Sequence, residues 1–361
     1  MEKDHKLNSS ELRTFLSKHI DFVFSKEAFN SEIYTPICIW GEAGIGKTQL
    51  VCDLAETSAW SLVHLSLAQI EETGDILGLP YLKDGEHGKQ TAFAKPEWVP
   101  EGKGPGILLI DDFNRADTRI LNAFMEVFQF YRTSSWSLPE KWFIVLTANP
   151  ADASYFVQKV DQAVMDRMMH INMSFDLEAW MHWAYRQNFD EQLLFFPLLF
   201  PEQFVNSKIS PRMWSKLFRH LSEQGITNKE QRDILVKMYL NEGESKLFLQ
   251  FLDNGQRNLL KAEQLIDLSQ EQMDAYISSL NQTYQQPLLL GAIGRSVVNY
   301  LSDKSQIFLE SKDVNRFWMS KNLPADIRLE QLTYMEKHLN NTQLNKINIA
   351  EVQNLMLDLR N

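Results

Sequence analysis

Residues 41–48 read GEAGIGKT, and they stand between the apolar run PICIW at 36–40 and the helical stretch TQLVCDLAET at 48–57. Gly, any four residues, then Gly-Lys-Thr is the pattern of a phosphate loop. No other stretch limits the fold as strongly, because this pattern works only where a buried strand turns sharply into a helix. Gly41, Gly44 and Gly46 let the backbone turn its N–H groups inward, and the following helix aims its positive dipole end at the same point. On this reading Lys47 reaches the outer phosphates of a ligand and Thr48 holds a magnesium ion. Glu42, Ala43, Ile45 and Gln49 complete the binding segment. A plain glycine turn with a solvated lysine is the alternative, and the strand-loop-helix setting speaks against it.

The run ILLIDDFNRA at 107–116 sets a second constraint. It ends on two adjacent carboxylates, and each costs desolvation energy at a buried strand end unless a cation or hydrogen bonds compensate. In a phosphate-loop fold the metal sits between the loop Thr and an acid at the tip of a neighbouring strand, so Asp111 is the expected magnesium partner of Thr48. Asp111 could instead cap the next helix, but Asp117 is better placed to cap DTRILNAFMEVFQFY. Asp112 is left to orient and deprotonate an attacking water, a role typically worth about 10² to 10⁴ in rate.

Between 34 and about 173, short apolar runs alternate with helical stretches: PICIW, SLVHLSL at 61–67, GILLI at 106–110 and WFIVLTA at 142–148. This predicts an α/β fold with a parallel sheet covered on both faces. Ahead of it, NSSELRTFLSKHIDFVF has a Ser cap and places Leu12, Phe15, Leu16, Ile20 and Val23 at helical spacing. The reading gives an N-terminal helical segment at 1–33, a nucleotide-binding domain at 34–175, a helical lid at 176–302 and a C-terminal helical extension at 303–361. The turn-rich segment 71–105 is longer than most structureless loops, which makes it a functional insertion or hairpin. Its Lys83, Lys89 and Lys95 either touch a client or are simply solvated.

Composition narrows the partners. The chain is 361 residues long with a formal charge of -11, which argues against sequence-blind binding to nucleic acid or to anionic membranes. Two cysteines in apolar settings, Cys38 and Cys52, give no disulfide framework, and the eight histidines show no paired metal spacing. The start lacks a signal-peptide pattern and LLFFPLLF at 193–200 is too short to span a bilayer, so a cytoplasmic protein is expected.

With GDILGLPY at 74–81, KPEWVP at 95–100 and LLIDDFNRA at 108–116 following the phosphate loop, the chain resembles an AAA+ ATPase of the MoxR and dynein-related branch. The resemblance implies a P-loop NTPase core with a helical lid, ATP and Mg²⁺ as ligands, and a ring oligomer, usually a hexamer. Such rings remodel, mature or activate a protein client, often with a partner carrying a von Willebrand A domain. It also implies roles. In VLTANP, Asn149 becomes the sensor 1 residue that holds the attacking water or the outer phosphate. In VDQAVMDRMMHI, Arg167 becomes the arginine finger that enters the neighbouring subunit's site. In ISPRMW, Arg212 becomes the sensor 2 arginine. Plainer readings are a turn at Asn149-Pro150, a local pairing of Arg167 with Asp161 or Asp166, and a helix start at Ser210-Pro211. Arg115 fits either a subunit contact or a structural role. The family carries Asp-Glu where this chain has Asp111-Asp112. That substitution motivates one rival, an assembly module that binds ATP but turns over very slowly; a P-loop small-molecule kinase is the other.

Overall fold

The computed structural model describes residues 6–26, 30, 32–85, 88–150, 160–187, 189–205, 207–224, 228–255, 259–280, 286–302, 304 and 313–347. The chain divides into two compact units, Met1–Asp176 and Leu177–Asn361.

The first unit is built on strands β1 (Lys6–Leu7), β2 (Ile37–Trp40), β3 (Ser61–Ser66), β4 (Leu79–Gly85), β5 (Gly88–Ala94), β6 (Gly106–Asp111), β7 (Trp142–Ala148) and β8 (Met169–Met173). Six of them form one parallel sheet in the order β1-β8-β2-β7-β6-β3. β7 is buried along its whole length and β6 up to Ile110, as apolar runs covered on both faces must be. From the C-terminal end of β2 the chain crosses to β3, three places along the sheet on one side, while β8 lies on the other side of β2, so the phosphate loop lies at the topological switch point, where open α/β sheets bind their ligands. β3 was expected to be buried. It is the sheet edge, and Leu62 is 37% exposed.

Helix α1 (Ser9–Phe24) buries Leu12, Leu16, Ile20 and Val23 against the sheet's core. Its cap is Asn8 rather than a serine: the Asn8 side chain accepts from the Glu11 N–H at 2.9 Å and the Glu11 carboxylate accepts from the Asn8 N–H at 2.9 Å. Phe15 is exposed and stacks on His19 at 5.6 Å. β1, which pairs with Asn172 and Met173 of β8, was not expected, because two residues carry no readable alternation. Helices α2 (Lys47–Thr57), α3 (Gly74–Leu77), α4 (Thr118–Phe130) and α5 (Gln162–Met165) complete the unit.

The insertion is a hairpin: β4 and β5 pair antiparallel from Leu79–Ala94 to Gly85–Gly88. Its base is fixed through α3. The Trp98 indole donates to the Asp75 carbonyl at 2.9 Å, the Trp136 indole donates to the Ile76 carbonyl at 2.7 Å, and the Ser135 hydroxyl donates to the Leu77 carbonyl. These bonds satisfy carbonyls that a helix end leaves without partners. Gly78 then turns the chain with φ +90°, and a Cβ there would lie 2.2 Å from the Ala94 carbonyl oxygen. Beyond this base the two strands are largely exposed, with Leu79 and Leu82 at 68% and 67%.

The regular elements described in the second unit are helical. The segment Glu191–Leu199 is buried from Leu193 to Leu199. Phe196 packs against Trp214 at 5.3 Å and Phe248 at 4.8 Å, so the LLFFPLLF run forms this unit's core. Helix Ala325–His338 packs on helix Gln286–Ser302, with the Gln331 amide donating to the Gly291 carbonyl at 3.1 Å. Among the described residues no helix is long and apolar enough to cross a membrane.

Candidate active site

The phosphate loop joins β2 to α2. Gly44 and Gly46 take φ of 80° and 100°, conformations that L side chains adopt only with strain. A Cβ on Gly41 would lie 2.7 Å from Ile45 Cδ1 and 2.8 Å from the Met173 carbonyl oxygen. A side chain is therefore opposed by contact at Gly41 and by backbone conformation at Gly44 and Gly46. Lys47 is 5% exposed. Its ammonium donates to the carbonyls of Gly41 at 2.7 Å and Glu42 at 2.9 Å, and to Asn149 Oδ1 at 3.0 Å.

Asp111 ends β6, and the Thr48 hydroxyl donates to its Oδ1 at 2.7 Å. Two contacts were not anticipated. The Thr147 hydroxyl also donates to Oδ1, and His64 Nε2 lies 3.5 Å from Oδ2. Burial alone would push the Asp111 carboxyl up, but the Thr147 and Thr48 hydroxyls and the His64 imidazole outweigh it and hold the group below its ordinary value. A hydroxyl and a carboxylate form an all-oxygen donor set, which suits a hard cation such as Mg²⁺.

Asp112 sits in the left-handed region with φ 50°. Its backbone N–H donates to the Thr147 hydroxyl at 3.0 Å. Both of its carboxylate oxygens have partners: the Asn149 amide donates to Oδ1 at 2.7 Å, and Arg115 Nε lies 3.1 Å from Oδ2. Asn149, 1% exposed, thus links Lys47 to Asp112 through the two ends of one amide. Asn114, equally buried, holds Asn149 in place by donating to its carbonyl at 2.7 Å and accepting from its N–H at 3.3 Å.

Thr147 therefore supports both acids at once. Replacing it with Val removes the donor to Asp111 and leaves the Asp112 N–H without its acceptor. The expected loss is about 1–3 kcal/mol of stability, measured by denaturant unfolding at neutral pH. The depressed Asp111 pKa contributes stability above the unfolded carboxyl value of roughly 4, and that contribution disappears as pH falls through the folded value. The gap between wild type and Thr147→Val should therefore narrow in acid.

Arg167 follows α5. Its guanidinium donates to Gln129 Oε1 at 3.2 Å and to the Ala163 carbonyl. Neither acid considered as its local partner is involved. Asp161 caps α5 by accepting from the Ala163 N–H at 2.8 Å, and Asp166 accepts from the Gln162 amide at 2.6 Å. Arg212 belongs to the second unit, exposed in the first turn of the helix Pro211–Gln224. Lys83, Lys89 and Lys95 lie on or just after the hairpin, and Lys95 pairs with Glu101 at 3.0 Å.

The first unit thus brings together Lys47, Thr48, Asp111, Asp112 and Asn149. Thr147, Asn114 and His64 were missed. Thr147 could have been found by strand alternation, since it lies two residues before Asn149, and Asn114 stands inside the DDFNRA run.

The family model of the AAA domain, dynein-related subfamily, matches residues 36–168. No curated protein matches the chain. Among solved structures, a mutant of RuvB from Thermotoga maritima is 11% identical, with 77% of this chain and 84% of that chain covered and a TM-score of 0.42. A second mutant of the same protein is 12% identical, with 77% and 83% covered and a TM-score of 0.42. A Cytophaga hutchinsonii protein is 17% identical, with 67% and 86% covered and a TM-score of 0.33.

Proposed function

We propose, from the match of residues 36–168 to the family model of the dynein-related AAA domain, that the chain is a MoxR-like AAA+ ATPase that hydrolyses ATP with Mg²⁺ in a ring oligomer to remodel, mature or activate a protein client. The observation that carries this reading is the single network joining Lys47, Asn149 and Asp112 beside the Thr48–Asp111 pair. The loop N–H groups and Lys47 bind the phosphates, and Gln49 stands in the first turn of α2 behind them. Thr48 and Asp111 would hold Mg²⁺, which supplies charge neutralisation at the transferring phosphate. Asp112 orients the water and takes its proton, while Asn149 holds the same water or the outer phosphate. Arg167 serves the neighbouring subunit, and Arg212 of the lid serves the outer phosphate. A hexamer, a cytoplasmic setting and a partner with a von Willebrand A domain complete the proposal.

A second reading has its own support. With one carboxylate oxygen on Asn149 and the other beside Arg115, Asp112 is restrained, which favours a module that assembles on ATP and turns over slowly.

Particle size with and without ATP tests what the two readings share. The wild-type chain is expected to shift to a ring-sized particle in ATP. Lys47→Ala removes the buried ammonium and should show neither that shift nor binding of a fluorescent ATP analogue. Wild-type binding and assembly retained in Lys47→Ala would contradict both readings.

A further inference from the structure

The strand that feeds the phosphate loop ends at Trp40, and this residue reaches towards the segment that carries Arg167. The Trp40 indole N–H donates to His170 Nδ1 at 2.9 Å. Nδ1 is thereby an acceptor, so the imidazole is neutral and its hydrogen lies on Nε2, which faces the Met165 carbonyl at 2.9 Å. Met165 is the last residue of α5, and Arg167 is two residues further on. α5 has only four residues and is too short to hold its own shape, so its end depends on outside bonds. His170 supplies one of them. On its other side, Trp40 packs edge-on against Phe113 at 5.9 Å, and Phe113 directly follows Asp112.

Cross-strand packing alone accounts for the Trp40–His170 contact, since β2 and β8 are neighbours. It does not account for the imidazole's second bond, which leaves the sheet and ends on the carbonyl next to the arginine segment. Among the described residues the Arg167 guanidinium bonds to Gln129 and to a carbonyl of α5 itself rather than to a carboxylate, so its direction follows the position of α5.

We infer that His170, held in one tautomer by Trp40, is a positioning residue for Arg167, so that the strand feeding one subunit's phosphate loop also sets the arginine presented to the next subunit. This rests on the ring reading above. An error of about 1 Å in such a group can cost about 10² in rate.

Two variants test it. His170→Phe keeps a ring and loses both bonds, and Trp40→Phe keeps the aromatic packing and loses the N–H. Each is expected to turn over ATP about 10²-fold more slowly with its ATP affinity within about twofold of wild type. Mixing supplies the readout that a merely structural role would not move. Asp112→Asn subunits have a dead site but an intact Arg167, so an equal mixture with His170→Phe subunits should recover about a quarter of wild-type turnover. A mixture of Arg167→Ala with Asp112→Asn is the control. Rescue in both mixtures supports the inference. Rescue in the control but not with His170→Phe or Trp40→Phe overturns it and leaves the ring standing. Wild-type turnover in both variants also overturns it. Failure of the control removes the ring reading and the inference with it.

Discussion

Arg167→Ala is expected to bind ATP as tightly as the wild-type chain and to hydrolyse it about 10³ to 10⁵-fold more slowly, a barrier increase of roughly 4–7 kcal/mol. The split between binding and turnover follows from where the side chain sits. Its guanidinium bonds to Gln129 and Ala163, outside the network of Lys47, Asn149 and Asp112, so its own subunit's loop does not need it. The neighbouring acids are committed elsewhere, Asp161 to the α5 cap and Asp166 to Gln162. Steady-state phosphate release and fluorescent-ATP titration give the two quantities separately. An undiminished rate in a monomer would sink the ring reading and favour the small-molecule kinase.

Asp112→Asn should lower turnover by about 10² to 10⁴ while ATP binding and assembly persist. Asn keeps the size of the side chain and an acceptor for the Asn149 amide, but it cannot take a proton at neutral pH. Asp112→Glu then discriminates between fast and slow turnover. If Asp112 already reaches the water, adding a methylene should change the rate by no more than a few-fold. A large gain in Asp112→Glu would favour the slow assembly module, because it would show that the native carboxylate stops short. The left-handed backbone at Asp112, φ 50°, sets that reach. Asp tolerates this region better than most residues, whereas Glu carries a greater cost there.

The backbone of the site was legible because the phosphate-loop pattern spells it. Glycines at 41, 44 and 46 and a following helix leave few alternatives, and the strands β2, β6 and β7 announce themselves as apolar runs. Residues that meet only through the fold were harder to read. Asn114 and Asn149 are 35 positions apart, and Lys47 and Asn149 are 102 apart. Nothing local to either partner signals that they touch. His64 was hidden for a different reason: it lies on β3, and only the parallel register that sets Ser66 opposite Asp111 brings that strand's side chains towards the acid. The edge position of β3 and the two-residue β1 likewise depend on strand order, which hydrophobic spacing does not encode.

The amide of Asn149 gives the site a fixed polarity. Its oxygen faces the Lys47 ammonium and its nitrogen faces the Asp112 carboxylate, so an uncharged group separates a cation from an anion in a confined space. Were the two charges in direct contact they would neutralise each other, leaving little field for a phosphate and little basicity for a water. A carboxylate in place of the amide would oppose Asp112, and an apolar group would satisfy neither neighbour. The amide accepts from the cation and donates to the anion at the same time, which keeps the two charges apart and both in use.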